Sequence, residues 1–221
     1  MIRMCWREME LAGAVLPAGC VDEGERVRLV MPRRSQYAWL EQMFPAGEAL
    51  APERWCLWLE ADSASFQAGS EEFRRRVGSI LHHRGVIANL SLRENLLLPF
   101  LYDGDAGRLE EAEARLDGVA DFLGLGSRLH EQAGERSAYT HGIISLGRCL
   151  LQRPRIVVAQ DVHCGMPPHR LQRFQALFAQ AMDEMGSGLL YLSTSEHDGT
   201  GLAFASSLAA RETDAALEAM A

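Results

Sequence analysis

Three sets of side chains in this sequence are of types that do chemistry. Asp161, His163 and Cys164 supply a carboxylate, an imidazole and a thiol in one short run, the parts of a thiol nucleophile with its base. His82 and His83, joined by His163 or His197, would offer imidazoles to a metal. Arg33 and Arg34 would hold an anion. Each set has a plainer account. Nucleophile and base usually converge from distant segments rather than from one turn. Adjacent histidines on a strand face opposite sides, so only one of His82 and His83 can join a given site. Arginines outside a glycine-lined loop are ordinary solvated surface. The sequence therefore predicts no metal and no bound cofactor. An unrelated enzyme built on Asp161, His163 and Cys164 is the most distant reading.

A fourth pattern lies in position rather than in residue type. Between Gly24 and Phe44 an apolar strand, Val27–Met31, leads through a loop with a proline into a helix from Tyr37. A phosphate-cradling loop would place G-x-x-x-x-G-K-[ST] there. This chain places Met31, Pro32, Arg33, Arg34, Ser35, Gln36, Tyr37 and Ala38. Glycines let successive backbone N–H groups curl round a phosphate, and this run has none. The space is expected to be closed, with Tyr37 and Trp39 packed where phosphates would sit or beside it.

The elements that would position these residues alternate along the chain. Strands are predicted at 27–31, 55–61, 77–81, 155–160 and 188–194, with an edge strand at 204–210. The run at 155–160 is rich in β-branched residues, as a buried parallel strand is. Helices are predicted over 37–44, 92–101, 108–123, 137–151 and 171–185, with Pro99 ending or kinking the second. Over 108–123, Leu109, Ala112, Leu116, Val119 and Leu123 share one face and Glu110, Glu111, Glu113 and Asp117 take the solvated other. Gly124 supplies a stop. Glu71–Arg76 reads as a charged lead-in to a strand, 82–90 as a loop and 46–53 as a connection. The order predicts a mixed α/β domain with a helical insertion. Its parts are 1–94 (first part of the α/β core), 95–145 (helical subdomain) and 146–221 (second part of the core and a tail).

The composition narrows the function. A formal charge of −8 argues against a nucleic-acid partner, which calls for a basic patch. Aromatics at 7% are too sparse for a base-stacking platform. Cys5, Cys20, Cys56, Cys149 and Cys164 are odd in number and form no CxxC pair, which predicts reduced thiols and a cytoplasmic location. No apolar run is long enough to cross a bilayer. The opening MIRMCWREMELAGAVLPAG carries acidic residues inside its apolar stretch, so it makes a poor signal peptide. Direct membrane insertion is not expected, and membrane association would come through a partner.

With these segments in this order, the chain resembles the ATP-binding cassette (ABC) ATPases. VGSILHHRGVIANLSLRENLLLPF (77–100) looks like the family's run from its Gln-bearing loop into the helical subdomain, closest to cassettes of lipid, lipoprotein and small-molecule exporters. SLGRCLLQRPRIVVAQDV (145–162) looks like the family's Ala-Arg-Ala-Leu helix, its Arg-Pro turn and the strand that should end Asp-Glu-Pro. With the stretch around the missing phosphate loop, the resemblance runs from Gly24 to Ala210. It implies a P-loop-NTPase-like α/β core with a mostly helical subdomain.

The resemblance also implies what is missing. The phosphate-binding lysine falls on Tyr37 and the Mg²⁺-binding hydroxyl on Ala38. The loop glycines fall on Met31, Arg34 and Gln36, and the Gln that contacts metal and water falls on His82. The strand-end Asp falls on Gln160, the catalytic Glu on Asp161, and the switch histidine on Thr194 or Ser195. The Leu-Ser-Gly-Gly-Gln signature falls on Arg136, Ser137, Ala138, Tyr139 and Thr140, so only its serine remains, and the loop that should end Leu-Asp reads CGMP (164–167). The aromatic that stacks on adenine has only Trp6 as a weak counterpart. Phosphoryl transfer depends on positioning and electrostatics from these groups, so the expected function is a pseudo-ATPase, a non-catalytic subunit or regulator. The alternative is a nucleotide-responsive cassette that binds ATP by altered contacts without efficient hydrolysis. Two family domains sandwich ATP between one phosphate loop and the other's signature. This chain would spoil both sites of such a pair. Expected partners are a membrane permease, an active ABC ATPase subunit, or a second copy, with the protein peripheral at the inner face of the cytoplasmic membrane. Gly85, Val86, Ile87, Leu90 and Glu94 fall where the family receives a permease helix. Leu96, Leu97, Leu98 and Phe100 read as core.

Overall fold

Two apolar runs of the chain, Ile156–Gln160 and Gly188–Ser193, are buried at every residue, as strands covered on both faces must be. Around them the computed structural model describes residues 1–43, 56–81, 85–134, 137–196 and 201–213. The first elements are β1 (Ile2–Trp6), β2 (Met9–Leu11), β3 (Ala14–Leu16), β4 (Gly19–Asp22), β5 (Arg26–Val30), α1 (Arg33–Met43), β6 (Leu57–Ala61), β7 (Ala64–Gln67), α2 (Glu71–Arg76) and β8 (Val77–Leu81). Then come α3 (Leu92–Asp103), α4 (Ala106–Leu123), α5 (Ala138–Gln152), β9 (Ile156–Gln160), α6 (Pro168–Met185), β10 (Gly188–Ser193), β11 (Ser206–Ala209) and β12 (Arg211–Glu212). No helix among the described residues is long and apolar enough to cross a membrane.

The chain packs as two compact units. The first takes Met1–Gly78, Arg155–Asp161 and Gly186–Ala221, and the second takes Ser79–Pro154 and Val162–Met185. The second unit therefore starts earlier than the predicted 95 and includes α6, which the sequence boundaries leave with the core.

In the first unit β5, β9, β10 and β11 belong to a sheet of order β11-β5-β10-β9-β8, with β10 parallel to β5 and β9, and β11 parallel to β5. An antiparallel sheet of order β4-β1-β6-β7 and a small sheet of order β12-β3-β2 complete it. The four N-terminal strands were not foreseen. β1, with its buried Met4, Cys5 and Trp6, pairs with both β4 and β6. The antiparallel register sets Cys5 opposite Cys20, and the two form a disulfide. This corrects the expectation of five reduced thiols. Cys56, Cys149 and Cys164 remain thiols, and burial pushes Cys149 up to about 12. Glu71–Arg76 is a helix rather than a lead-in. Ser70 caps it by accepting from the Phe73 N–H at 3.2 Å, and Glu71–Arg75 and Glu72–Arg76 pair along it.

The second unit builds on α5, against which α3, α4 and α6 pack. Ile143, Ile144, Leu146 and Leu151 of α5 are fully enclosed, as are Leu96, Leu97 and Phe100 of α3. Pro99 neither ends nor interrupts α3. Proline removes the N–H that would bond to the carbonyl four residues back. That carbonyl belongs to Asn95, and it accepts instead from Arg148 Nε at 2.7 Å. The half-buried Arg148 guanidinium thus replaces the lost backbone donor. Burial lowers its pKa to about 10.

Candidate functional site

Parallel α/β sheets bind ligands outside the carboxyl ends of their strands. In the first unit β5 and β9 flank β10, with Val30 opposite Ser193 and Gln160 opposite Leu192. The turns leaving these strands carry the residues singled out above.

Only Met31 and Pro32 separate β5 from α1. The Met31 N–H donates to the Ser193 carbonyl at 2.9 Å, and the Pro32 carbonyl accepts from the Ser35 and Gln36 N–H groups at 2.9 and 3.1 Å. Arg33, Arg34, Ser35 and Gln36 are therefore helical. This moves the predicted helix start from 37 back to 33. Without a glycine these residues have no reason to leave ordinary helical dihedrals. Ser35 and Gln36 point inward. Ser35 Oγ donates to the Leu11 carbonyl at 2.7 Å and Gln36 Nε2 to the Met31 carbonyl at 3.2 Å. Tyr37 and Ala38 are half-buried on α1, while Trp39 is fully enclosed. Trp39 meets Trp6 edge-to-face, with ring centres 6.4 Å apart. Trp6 in turn donates from its indole Nε1 to the Pro17 carbonyl at 3.0 Å. Trp6 is 1% exposed, so it is a core residue and not a platform for adenine.

At the end of β9, Gln160 is buried and its Oε1 has no partner among the described residues. Asp161 follows in a left-handed conformation with φ +40. Its N–H bonds to the Leu192 carbonyl at 3.2 Å, and its Oδ2 accepts from Arg33 Nη2 at 3.3 Å. Arg33 was read as a solvated loop residue. It instead begins α1 and spans the strand ends to the carboxylate after β9. The one signal that could have found this pair is parallel order, with a cation just after β5 and an anion just after β9. After β10, Thr194 is exposed beside a tight turn in which Ser193 Oγ donates to the Ser195 carbonyl at 2.7 Å. His82, His83, Arg136, His197 and the connection at 46–53 lie outside the described residues. Among the described residues no cluster of His, Cys, Asp or Glu could hold a metal.

The proposed docking positions lie in the second unit. Gly85 adopts φ +87, a conformation that L side chains rarely take, and a Cβ there would stand 2.9 Å from Arg148 Nη1. Val86, Ile87 and Leu90 are half-buried, and Gly85 and Glu94 are exposed. The loop is held by Asn95. Its Nδ2 donates to the carbonyls of Ile87, Leu90 and Ser91 at 2.9, 3.3 and 3.0 Å, and its Oδ1 accepts from the Ile87 N–H at 2.9 Å. Glu94 serves a capping box, taking the Ser91 N–H and Oγ–H at 2.7 and 2.6 Å. These bonds hold its carboxylate below the usual range. Ser137, the surviving serine of the signature positions, is the N-cap of α5.

Comparison with known proteins agrees with this arrangement. No family profile matches the chain. The lipoprotein-releasing system ATP-binding protein LolD 2 of Caulobacter vibrioides is 30% identical over 172 residues, covering 75% of this chain and 72% of that protein. The chain belongs to the ABC transporter ATP-binding family. The LolD of Rickettsia bellii is 25% identical over 117 residues, about half of each ABC protein, at 53% and 52%. Among solved structures, an ABC transporter's ATP-binding cassette in its ADP conformation superposes with a TM-score of 0.63 at 14% identity, over 90% of this chain and 82% of that one. Clostridium perfringens cbiO1, part of the ABC transporter complex cbiONQ, gives a TM-score of 0.65 at 10% identity over 87% and 78%. The ABC ATPase fold read from the sequence is therefore the fold of the protein.

Proposed function

We propose that this ABC-family chain is a non-catalytic subunit or regulator, a pseudo-ATPase. It docks through protein–protein contacts on a membrane permease or on a related, active ATPase, and neither binds nor hydrolyses ATP. The observation that carries the reading is the start of α1. Where a phosphate loop needs an open nest, two residues lead straight into helix. Arg33 pairs with Asp161 across the strand ends. The residues present do not fit a magnesium nucleotide. Ala38 has no ligand atom, Gln160 offers an amide for a carboxylate, and Tyr37 offers a neutral phenol for an ammonium.

Family and geometry together support this choice of partner. The structurally similar cbiO1 is part of an ABC transporter complex. MacB of Neisseria meningitidis, 32% identical over 88 residues, is named an ATP-binding and permease protein. In this chain Gly85, Val86, Ile87 and Leu90 form a loop fixed by Asn95 and Arg148, a preorganised surface of the kind that costs little to dock. Such a subunit would sit at the inner face of the cytoplasmic membrane. The test is phosphate release from ATP by the purified protein, with and without Mg²⁺. The expected rate equals the blank and is unchanged by Asp161→Asn. A rate above the blank that Asp161→Asn abolishes would overturn the reading. One observation favours the nucleotide-responsive alternative. Arg33 and Arg34 stand exposed in the first turn of α1, and helix N-termini favour anions. That alternative requires an ATP affinity independent of Mg²⁺.

A further inference from the structure

The second half of α4 and the C-terminal ends of α5 and α6 border a groove of about 500 Å³. Its lining belongs wholly to the second unit. Val119 and Phe122 of α4, Leu150 of α5 and Met185 of α6 give it apolar walls, and Gly118 lies between them. Arg115 and Arg153 line it as well. The Leu151 carbonyl accepts from Arg115 Nη2 at 2.7 Å, and Arg153 follows Leu151 by two residues. Both cations therefore stand where α5 ends. Arg115 Nη1 is 4.0 Å from Glu111 Oε2. The carboxylate of the lining, Glu184, accepts from Gln180 Nε2 at 2.8 Å. Phe122 lies two turns of α4 beyond Arg115, about 10 Å along the axis. The groove thus runs from a cationic end to an apolar one, with the size and mainly apolar walls of a small-molecule site.

Two residues of this groove are poor choices for stability alone. Gly118 sits in the middle of α4, and a Cβ there would meet nothing within 4 Å. Alanine would fit and would favour the helix. Arg153 ends α5 in the left-handed region with φ +49, where glycine or asparagine costs less. A cation at a helix C-terminus often serves the last carbonyls. Arg115 does so, whereas Arg153 is exposed and its guanidinium has no partner among the described residues. A ligand accounts for both. The glycine leaves room over the backbone between the apolar walls, and the arginine adds charge at the cationic end.

We propose that this groove binds a medium-chain alkyl carboxylate. Its carboxylate pairs with Arg115 and Arg153, and its chain lies over Gly118 toward Phe122. One anionic head on an apolar chain matches both ends of the groove, and guanidiniums pair well with carboxylates. The inference does not depend on the function proposed above.

The test is calorimetric titration of the full chain with acetate, hexanoate, octanoate and octan-1-ol, each below the concentration at which it aggregates. Octanoate should bind, more tightly than hexanoate by about fourfold for each added methylene, and acetate should give no heat above the buffer blank. Octan-1-ol, with the same chain and no charge, should bind about threefold or more weaker than octanoate. Gly118→Leu, which fills the groove from a helix-compatible position, should abolish octanoate binding with the unfolding midpoint held or raised. Arg153→Gly should weaken octanoate by about threefold or more while raising the midpoint, since it relieves the left-handed cap. No heat with octanoate would overturn the proposal, as would Gly118→Leu and Arg153→Gly variants that bind it as the wild type does. Octan-1-ol binding as tightly as octanoate would also overturn it, and would leave an apolar groove open to a partner's side chains instead.

Discussion

Two buried amides show how differently the two units treat polar groups. Asn95, in the second unit, uses its side chain fully, giving three bonds to loop carbonyls and taking one from the Ile87 N–H. Arg148 adds a bond to its Oδ1 at 3.3 Å. Gln160, in the first unit, is as deeply buried, but its Oε1 bonds to nothing described. Gln36 Oε1 and Trp39 Nε1, on the helix that replaces the phosphate loop, are in the same position. A satisfied buried network fixes one conformation, and a stranded polar atom only costs stability. The loop at 85–91 is built to be held. At the strand ends Gln160 Oε1 has no partner among the described residues, while Asp161 beside it is paired with Arg33.

The largest effect is expected at Asn95. Asn95→Ala leaves the Ile87 N–H and several carbonyls without partners, and should cost about 4 kcal/mol. That lowers the unfolding midpoint by roughly 8–16 °C. A loss below about 1 kcal/mol would mean that the network is not what holds the loop. Next comes the covalent tie of the first unit. The Cys5–Cys20 bond closes a separation of 15 residues, so Cys5→Ser/Cys20→Ser should cost about 3 kcal/mol, read by urea unfolding without reductant. An unchanged urea midpoint would show that the pairing of β1 and β4 suffices alone.

Gln160 gives the opposite sign. Gln160→Leu should be neutral or stabilising by up to about 1 kcal/mol, since it removes a stranded oxygen from a core strand. A clear destabilisation would show that the amide has a partner, such as water or a ligand, that its packing does not reveal. The smallest effect is electrostatic. Glu94, with a depressed pKa from the bonds of Ser91, contributes stability that is complete above its ordinary 4.5 and lost as pH falls through the lower folded value. Glu94→Gln should therefore be less stable than wild type near neutrality, with the gap closing in acid. A gap constant from neutral to acid pH would remove the carboxylate from the capping account.

How much of this was legible in the sequence follows from the kind of signal each element leaves. Ile156–Gln160 and Gly188–Ser193 announce themselves because burial on both faces requires unbroken apolar runs. α4 does so by its apolar face, and Gly124 by the left-handed cap it makes. α1 was placed four residues late because the reading kept to the frame of a loop that needs glycines, which this chain lacks. The strands of 1–22 carry short, mixed runs that composition alone cannot separate from an irregular leader. The Cys5–Cys20 bond depends on an antiparallel register that residue spacing does not encode. Pro99 shows the same limit, because its tolerance in α3 depends on Arg148, 49 positions away. At the candidate site, the positions of Gln160, Asp161 and Thr194 were legible as strand ends. The Arg33–Asp161 pair was not, since it joins residues 128 positions apart.

The central claim is that the strand ends no longer hold a nucleotide. Its most direct test is a thermal-unfolding scan of the protein, with and without ATP, each with and without Mg²⁺. A ligand at about 100 times its Kd adds about 2.7 kcal/mol, or roughly 5–11 °C for a chain of this size. The account predicts no shift under any condition. A shift that requires both ATP and Mg²⁺ would contradict it, and would mean that α1 and the Arg33–Asp161 pair give way to a working nucleotide site.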